Sequence, residues 1–589
     1  MRRLKRKPFL FGIGAAAVLL ALAASQFAGT SRAGSPRLER YLPAETVGFV
    51  EVNDLRAQAV RIIESEAWRE FVKENQAASS LFMITANHAG ALDASYAVAL
   101  LGAGAGGPEF VALAEFDDSG ARRTFERRVL NLARGTDGQG AKTTTEEYEG
   151  VKINHVARGE GPGEGKGRGE GRGFVYARVE NSLYLSNSAA AVKRALDVRG
   201  GRAASLETNE TFRRARAAAG ANDGMFGFLD GAALTRVVDA VPDGAEGKKG
   251  AAAFRQFFRG VGADSVRSVA FTSTFEDGRV AERFYVTAPE RSGVLATVAA
   301  NPPTTQALLD LVPEDALAAF DASVANAPQA FDHLLALAAE HAGGRGGKGP
   351  AEGLAEFAAK TGVDFRAEVV GALGGEVCLA QLPDGEGRLG VFVLNVKDPA
   401  AFEQTLRKVA ASKGGTVAER EFRGVRVGRV TGEQGHGFEF AFVGGTNVVL
   451  SGEGRGVERV IETAQGGRSL RSSAAYAAAS AGATGAQFVY FNTNADYLGR
   501  LGRVLKSGGA EGVRTEARGG SLRPSFAYGA TRPEGFVVES RTPLGTFPRL
   551  LTVVATKFGG AAEEQASVGA QPSAEAQNRT SEAERRASE

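Results

Sequence analysis

The sequence predicts an α+β protein: two diverged copies of a mainly antiparallel sheet unit with helices packed on it, preceded by one N-terminal transmembrane or signal helix. Three observations lead there. A basic and then apolar stretch opens the chain, and one order of strand and helix patterns runs twice along the rest. The strands come mostly as hairpins separated by single helices, which favours antiparallel pairing with helices on one face over a parallel βαβ sheet. At 589 residues the chain also exceeds what one hydrophobic core holds.

The first element is residues 1–30. Arg2, Arg3, Lys5, Arg6 and Lys7 precede an uncharged run from Phe9 to Gly29 whose most apolar part is Ile13 to Ala24. This is the layout of a signal peptide or signal anchor. As a helix the run rises about 30 Å, the thickness of a bilayer core. The basic flank stays cytoplasmic, so the expected arrangement is a single inner-membrane pass through residues 9–29 with the body in the periplasm or outside the cell. Cleavage and secretion is the alternative, since Ala21-Leu22-Ala23 and Ser31-Arg32-Ala33 offer small residues to a signal peptidase. Residues 31–40 form a polar, Pro-containing linker.

The repeat fixes the next assignments. Leu42-Pro43-Ala44-Glu45-Thr46-Val47-Gly48-Phe49-Val50 aligns with Val312-Pro313-Glu314-Asp315-Ala316-Leu317-Ala318-Ala319-Phe320, a turn feeding a strand in each case. Tyr96–Leu100 and Val377–Gln381 begin hairpins, completed by Phe110–Phe116 and Leu389–Val396. Amphipathic helices follow, with Phe125, Val129 and Leu132 on one face and Phe402, Leu406 and Val409 in the other copy. Tyr148-Glu149-Gly150-Val151 and Phe422-Arg423-Gly424-Val425 read as tight hairpin turns.

Strands Ser182–Ser186 and Asn447–Ser451 lead into helices carrying Val192, Ala195 and Leu196, and Val457, Val460 and Ile461. Strands at Phe226–Phe228 and Phe488–Tyr490 come next, and hairpins from Ser268 to Val286 and from Ser525 to Val538 close the copies. The first unit is set at 41–292 and the second at 307–545. The Pro-bearing segment 293–306 is the linker, and 546–589 is a C-terminal helix and disordered tail.

The Leu42-Pro43 to Val52 opening, and Thr361-Gly362-Val363-Asp364-Phe365 to Gly374-Gly375-Glu376-Val377, resemble a bacterial family catalogued as domain of unknown function 3352. The resemblance covers the two copies rather than the chain ends. It implies an extracytoplasmic envelope protein and brings no activity or functional residue with it.

No residue stands out as catalytic, cofactor-binding or metal-binding. Beyond the N-terminal cations the body is close to neutral, which excludes the concentrated basic face a nucleic-acid binder needs. Cys378, the single cysteine, lies in an apolar run and reads as a buried strand residue. His88, His155, His333, His341 and His436 are scattered, and two helical turns separate His333 from His341, too far to share a metal. The Gly-rich stretches at Gly102–Gly107, Gly161–Gly167 and Gly343–Gly349 lack the Lys-Ser/Thr and helix of a phosphate loop. Arg158–Gly173 is a mixed-charge expansion of a hairpin tip. Ser186 or Ser188, and Ser451, are placed as helix N-caps.

The expected function is therefore a non-enzymatic envelope scaffold or binding protein, with an envelope protein as partner. The alternative is a periplasmic carrier or sensor of a hydrophobic ligand, and the third reading a hydrolase with an unrecognised carboxylate site.

Overall fold

The computed structural model describes residues 37–53, 57, 60, 61, 63–74, 94–104, 107–134, 142–157, 173–220, 224–239, 255–342, 349–385, 387–412, 414–432, 437–452, 454–507 and 522–545. The signal segment, nearly all of the Arg158–Gly173 tract, residues 343–348 and the tail 546–589 lie outside these. Among the described residues no helix is long and apolar enough to cross a membrane.

The first half contains β1 (Gly48–Val52), α1 (Glu66–Glu74), β2 (Ala94–Gly104), β3 (Gly107–Phe116), α2 (Ser119–Arg134), β4 (Lys142–Tyr148), β5 (Val151–Ala157), β6 (Phe174–Val179) and β7 (Ser182–Ser186). It continues with α3 (Ala189–Arg199), α4 (Glu210–Ala219), β8 (Met225–Asp230), α5 (Gly231–Asp239), β9 (Ser268–Glu276) and β10 (Arg279–Thr287). The second half follows α6 (Gly293–Ala299) and contains β11 (Ala318–Ser323), α7 (Ala327–Ala342), α8 (Pro350–Thr361), β12 (Leu373–Asp384), β13 (Gly387–Val396), α9 (Pro399–Ser412), β14 (Thr416–Phe422), β15 (Val425–Thr431), β16 (Gly437–Val443) and β17 (Asn447–Ser451). It ends with α10 (Gly456–Ala464), α11 (Ala474–Ser480), β18 (Phe488–Asn492), α12 (Tyr497–Ser507), β19 (Ser525–Arg532) and β20 (Gly535–Thr542).

All strand pairs are antiparallel. The first ten lie in the order β4-β5-β6-β7-β3-β2-β1-β8-β9-β10. The others lie in the order β14-β15-β16-β17-β13-β12-β11-β18-β19-β20, the first order with ten added to each strand number. β10 pairs with β20, from Val280 opposite Thr542 to Thr287 opposite Gly535, and makes one sheet of both halves.

Local chemistry explains the matching elements. At the two predicted Gly turns, Glu149 and Gly150 have φ of 50° and 74°, and Arg423 and Gly424 have 50° and 77°. Two successive positive φ values are what a two-residue hairpin with the sheet's own twist requires. Each opening strand is anchored alike: the Leu206 amide donates to the Leu42 carbonyl and the Leu470 amide to the Val312 carbonyl, both at 2.7 Å.

Helices lie on both faces of the sheet, against the expectation of one covered face. Ala97 and Ala99 of β2 pack with Val192 and Leu196 of α3 and Phe212 of α4. Tyr96 points to the other side, where its ring lies 5.9 Å from that of Phe125 on α2. The run Tyr96–Leu101 is apolar without alternation because both of its faces are buried. In the second half Val391 and Val393 pack with Val457 and Ile461 of α10, while Val396 packs with Phe402 of α9. Each fully buried Phe or Val contributes about 1.5–3 kcal/mol. The side chains of Val129 and Leu132 lie outside the description.

The segment 293–306 contains α6, and Gln487 Nε2 donates to the carbonyls of Val298 (3.0 Å) and Asn301 (2.5 Å), tying it to the second half. Ser188 caps α3, its side chain accepting the Ala191 amide. Ser451 is no cap: α10 starts five residues later at Gly456, and the Ser451 hydroxyl donates to the Gly390 carbonyl at 2.9 Å. Ser186 does the same to Phe110 at 2.6 Å. These two hydroxyls pin neighbouring strands together.

Candidate functional site

The residues weighed from sequence fall apart in space or are used structurally. His333 Nδ1 meets Thr297 Oγ1 at 2.7 Å, and His155 Nε2 meets Glu146 Oε1 at 3.0 Å, on separate parts of the fold. His88 and His436 lie outside the described residues. Among the described residues no three His, Cys, Asp or Glu side chains converge as a metal site. Cys378 is fully buried in β12, and burial pushes its thiol pKa well up. The thiolate a nucleophile needs is disfavoured there.

Buried acids converge at two places. Glu51 on β1 is fully buried and pairs with Arg216 of α4, which also reaches Glu39 at 3.5 Å. Burial, and then the charge of Glu51, raise the pKa of Glu39. Asp321 holds the corresponding position on β11, also fully buried. The Thr304 hydroxyl lies 2.5 Å from Asp321 and 3.0 Å from Glu376. Burial raises Asp321 to about 7, the Thr304 hydroxyl opposes this, and Glu376 adds to it. One oxygen of each acid, Glu51 Oε2 and Asp321 Oδ2, has no hydrogen-bond partner. A charged residue amid Gly48-Phe49-Val50-Glu51-Val52, matched by Asp321 in the other copy, was a legible signal that periodicity alone passed over.

A cleft of about 660 Å³ opens where the halves meet. One wall is α1 and the turn before it, with Arg61, Glu64, Ser65, Glu66, Ala67, Arg69, Glu70 and Lys73. The other is the β9–β10 turn, with Phe275, Asp277, Gly278 and Arg279, together with Leu522, Arg523 and Pro543 from the second half. The wall is held by an apolar cluster in which Trp68 and Phe71 of α1 pack with Leu498 and Leu501 of α12, Leu522 and Leu544. Ser65 accepts the Trp68 amide at 3.1 Å and so caps α1.

The floor of the cleft is cationic. Arg279 donates Nη1 to the Pro524 carbonyl at 3.1 Å, and its buried Nε has no partner. Arg523 donates Nη1 to the Asp277 carbonyl at 3.0 Å. Burial, and then the charges of Arg523 and Arg541, lower the Arg279 pKa. Arg279, at the start of β10, and Arg523, in the loop before β19, are 244 residues apart, so no local pattern announces their meeting.

Residues 290–504 match a family described as Protein of unknown function (DUF3352). The match takes in the linker and most of the second half, whereas the sequence resemblance extended to the first. No curated protein matches the chain. Among solved structures, crystal form IV of TP0453 is 7% identical, with 43% of this chain and 81% of that one covered and a TM-score of 0.21. Crystal form I of TP0453 gives 8%, 44%, 81% and 0.21. Scores at that level carry no inference of a shared fold.

Proposed function

We propose, for a chain whose residues 290–504 match the DUF3352 family, that it is an extracytoplasmic envelope protein which binds a ligand without transforming it, at the seam between two diverged copies of one unit. The carrying observation is the cleft between α1 and the Arg279–Arg523 floor, since ligand sites favour the junctions of packed units. Duplication is supported by the matching strand orders and by the paired anchors Leu206–Leu42 and Leu470–Val312. The basic and apolar N-terminus supports tethering at the inner membrane through residues 9–29. The buried carboxylates do not line the cleft, which speaks for a structural use of these acids over the hydrolase reading.

Two measurements test this. A reporter active only outside the cytoplasm, fused after residue 545, is expected to be active; activity of a cytoplasmic reporter instead overturns the location. Fractions of an envelope small-molecule extract are screened for one that raises the unfolding temperature of the full chain. Glu70→Trp, which fills the cleft, should lose that rise; an equal rise in the variant removes the cleft as the site.

A hydrophobic-ligand carrier is favoured by a different observation. Phe284 (41% exposed) stands opposite Val538 (36%), and Leu379 (41%) opposite Phe392 (46%), leaving apolar pairs on the sheet partly uncovered. Lipid co-purifying with the wild type and lost on Phe284→Ser with Phe392→Ser would support this reading over the seam.

A further inference from the structure

The chemistry of the cleft floor narrows the ligand. Arg279 and Arg523 have no carboxylate within ion-pair distance among the described residues, and Arg541 lies near enough to add its repulsion. Their hydrogen bonds go to main-chain carbonyls, which orient the guanidiniums and neutralise none of their charge. The Arg279 Nε–H, buried and unpaired, is a donor in want of an acceptor. Most of the cleft's carboxylates lie on the opposite wall, where Glu70 is engaged with Lys73 at 2.6 Å, while Asp277 on the β9–β10 turn offsets part of the Arg279 charge. A uniformly anionic ligand would meet Glu64 and Glu66, so one concentrated anionic group at the arginine end fits better.

Resting on the seam-binding reading, we propose that the Arg279–Arg523 end of the cleft binds the phosphate of a phosphate monoester. Guanidinium forks match phosphate oxygens in geometry, and arginine is less costly to desolvate than lysine. A monoester phosphate carries between one and two negative charges near neutral pH and offers three strong acceptor oxygens. It neutralises more of the excess than one carboxylate does. Phe275, Leu522 and Pro543 supply apolar surface beside the arginines for the alcohol portion. The same phosphate chemistry occurs in soluble metabolites and in phosphatidate headgroups.

Trp68 provides the readout. It is the one tryptophan in the sequence and stands on α1 next to the lining residue Ala67. Its emission is followed in the full chain, held in nonionic detergent, on addition of inorganic phosphate, glycerol 3-phosphate, dihexanoyl phosphatidate, dihexanoyl phosphatidylcholine or acetate. A saturable response to glycerol 3-phosphate supports the proposal with a soluble source; one confined to phosphatidate supports it with a lipid source. Arg279→Gln and Arg523→Gln should each weaken that response by about tenfold or more. Arg523→Gln, on a loop, serves if Arg279→Gln does not fold. No response to any phosphate probe, or equal responses in wild type and both variants, overturns the proposal. The seam reading fails separately: an extract ligand that stabilises wild type, Arg279→Gln and Arg523→Gln alike, yet not Glu70→Trp, keeps the cleft and removes the phosphate.

Discussion

Arg283 and Glu539 stand opposite one another across the β10–β20 junction, with Nε and Oε1 3.4 Å apart, and each is the fifth residue of its strand. In an antiparallel pair of equivalent strands, one position meets its own counterpart at the two-fold axis, as in a self-complementary dimer. Identical charges there would repel; here they are opposite.

Arg283→Glu is expected to destabilise the protein by about 0.5–1 kcal/mol, a cross-strand attraction becoming a repulsion on a partly exposed face. Adding Glu539→Arg should recover most of the loss. Urea unfolding of the four proteins in a double-mutant cycle measures the coupling, and strictly additive effects would show that the pair contributes nothing.

Gly535 lies on the same junction, where a Cβ would overlap the Val286 carbonyl oxygen. Gly535→Ala should cost about 1–3 kcal/mol by forcing β20 away from β10. Gly390 on β13 has open space around its Cβ direction and serves as the control. Equal unfolding midpoints for the two variants would contradict the strand contact.

Removing Arg216 leaves Glu51 buried beside Glu39 without its cation. Arg216→Met is expected to destabilise by about 3–5 kcal/mol at pH 7, with Glu51→Gln in the same chain restoring part of this. Thermal unfolding at pH 7 and pH 5 separates the charge effect from lost packing: the loss should shrink at pH 5, toward which burial has already raised the pKa of Glu39. A pH-independent loss would assign Arg216 a packing role.

Asp321 predicts a pH slope of defined sign. Its pKa is raised from 3.8 to about 7, so the folded state holds the proton more tightly than the unfolded chain. Its contribution is complete below about pH 4 and is lost as pH rises through 7, over a range worth on the order of a few kcal/mol. Asp321→Asn should flatten the stability profile between pH 4 and 7 and be the more stable protein at pH 8. Parallel profiles for wild type and variant would refute the assignment.

Sequence reading recovered the element order because turns, caps and amphipathic helices are local. Glu149-Gly150 and Arg423-Gly424 declare their hairpins by composition alone. It did not recover the second covered face, since Tyr96–Leu101 loses its alternation when both sides are buried. Nor did it recover the junction of β10 with β20 or the meeting of Arg279 with Arg523, which depend on strand register between segments some 250 residues apart. Ser451 shows the opposite failure: a hydroxyl before a helix suggested a cap, and the strand beside it took the hydrogen bond.

The lateral partner of β10 is the last strand described, and this has a consequence for biosynthesis. During synthesis at about 5–20 residues per second, the first half can complete its own pairings while β10 waits for residues 535–542. Throughout that interval β10 is a bare edge bearing Phe284, open to recruitment by another nascent chain. Ribosome spacing and holdase chaperones then become determinants of yield, and a translational pause placed between β10 and β20 should lower it more than the same pause upstream of β9.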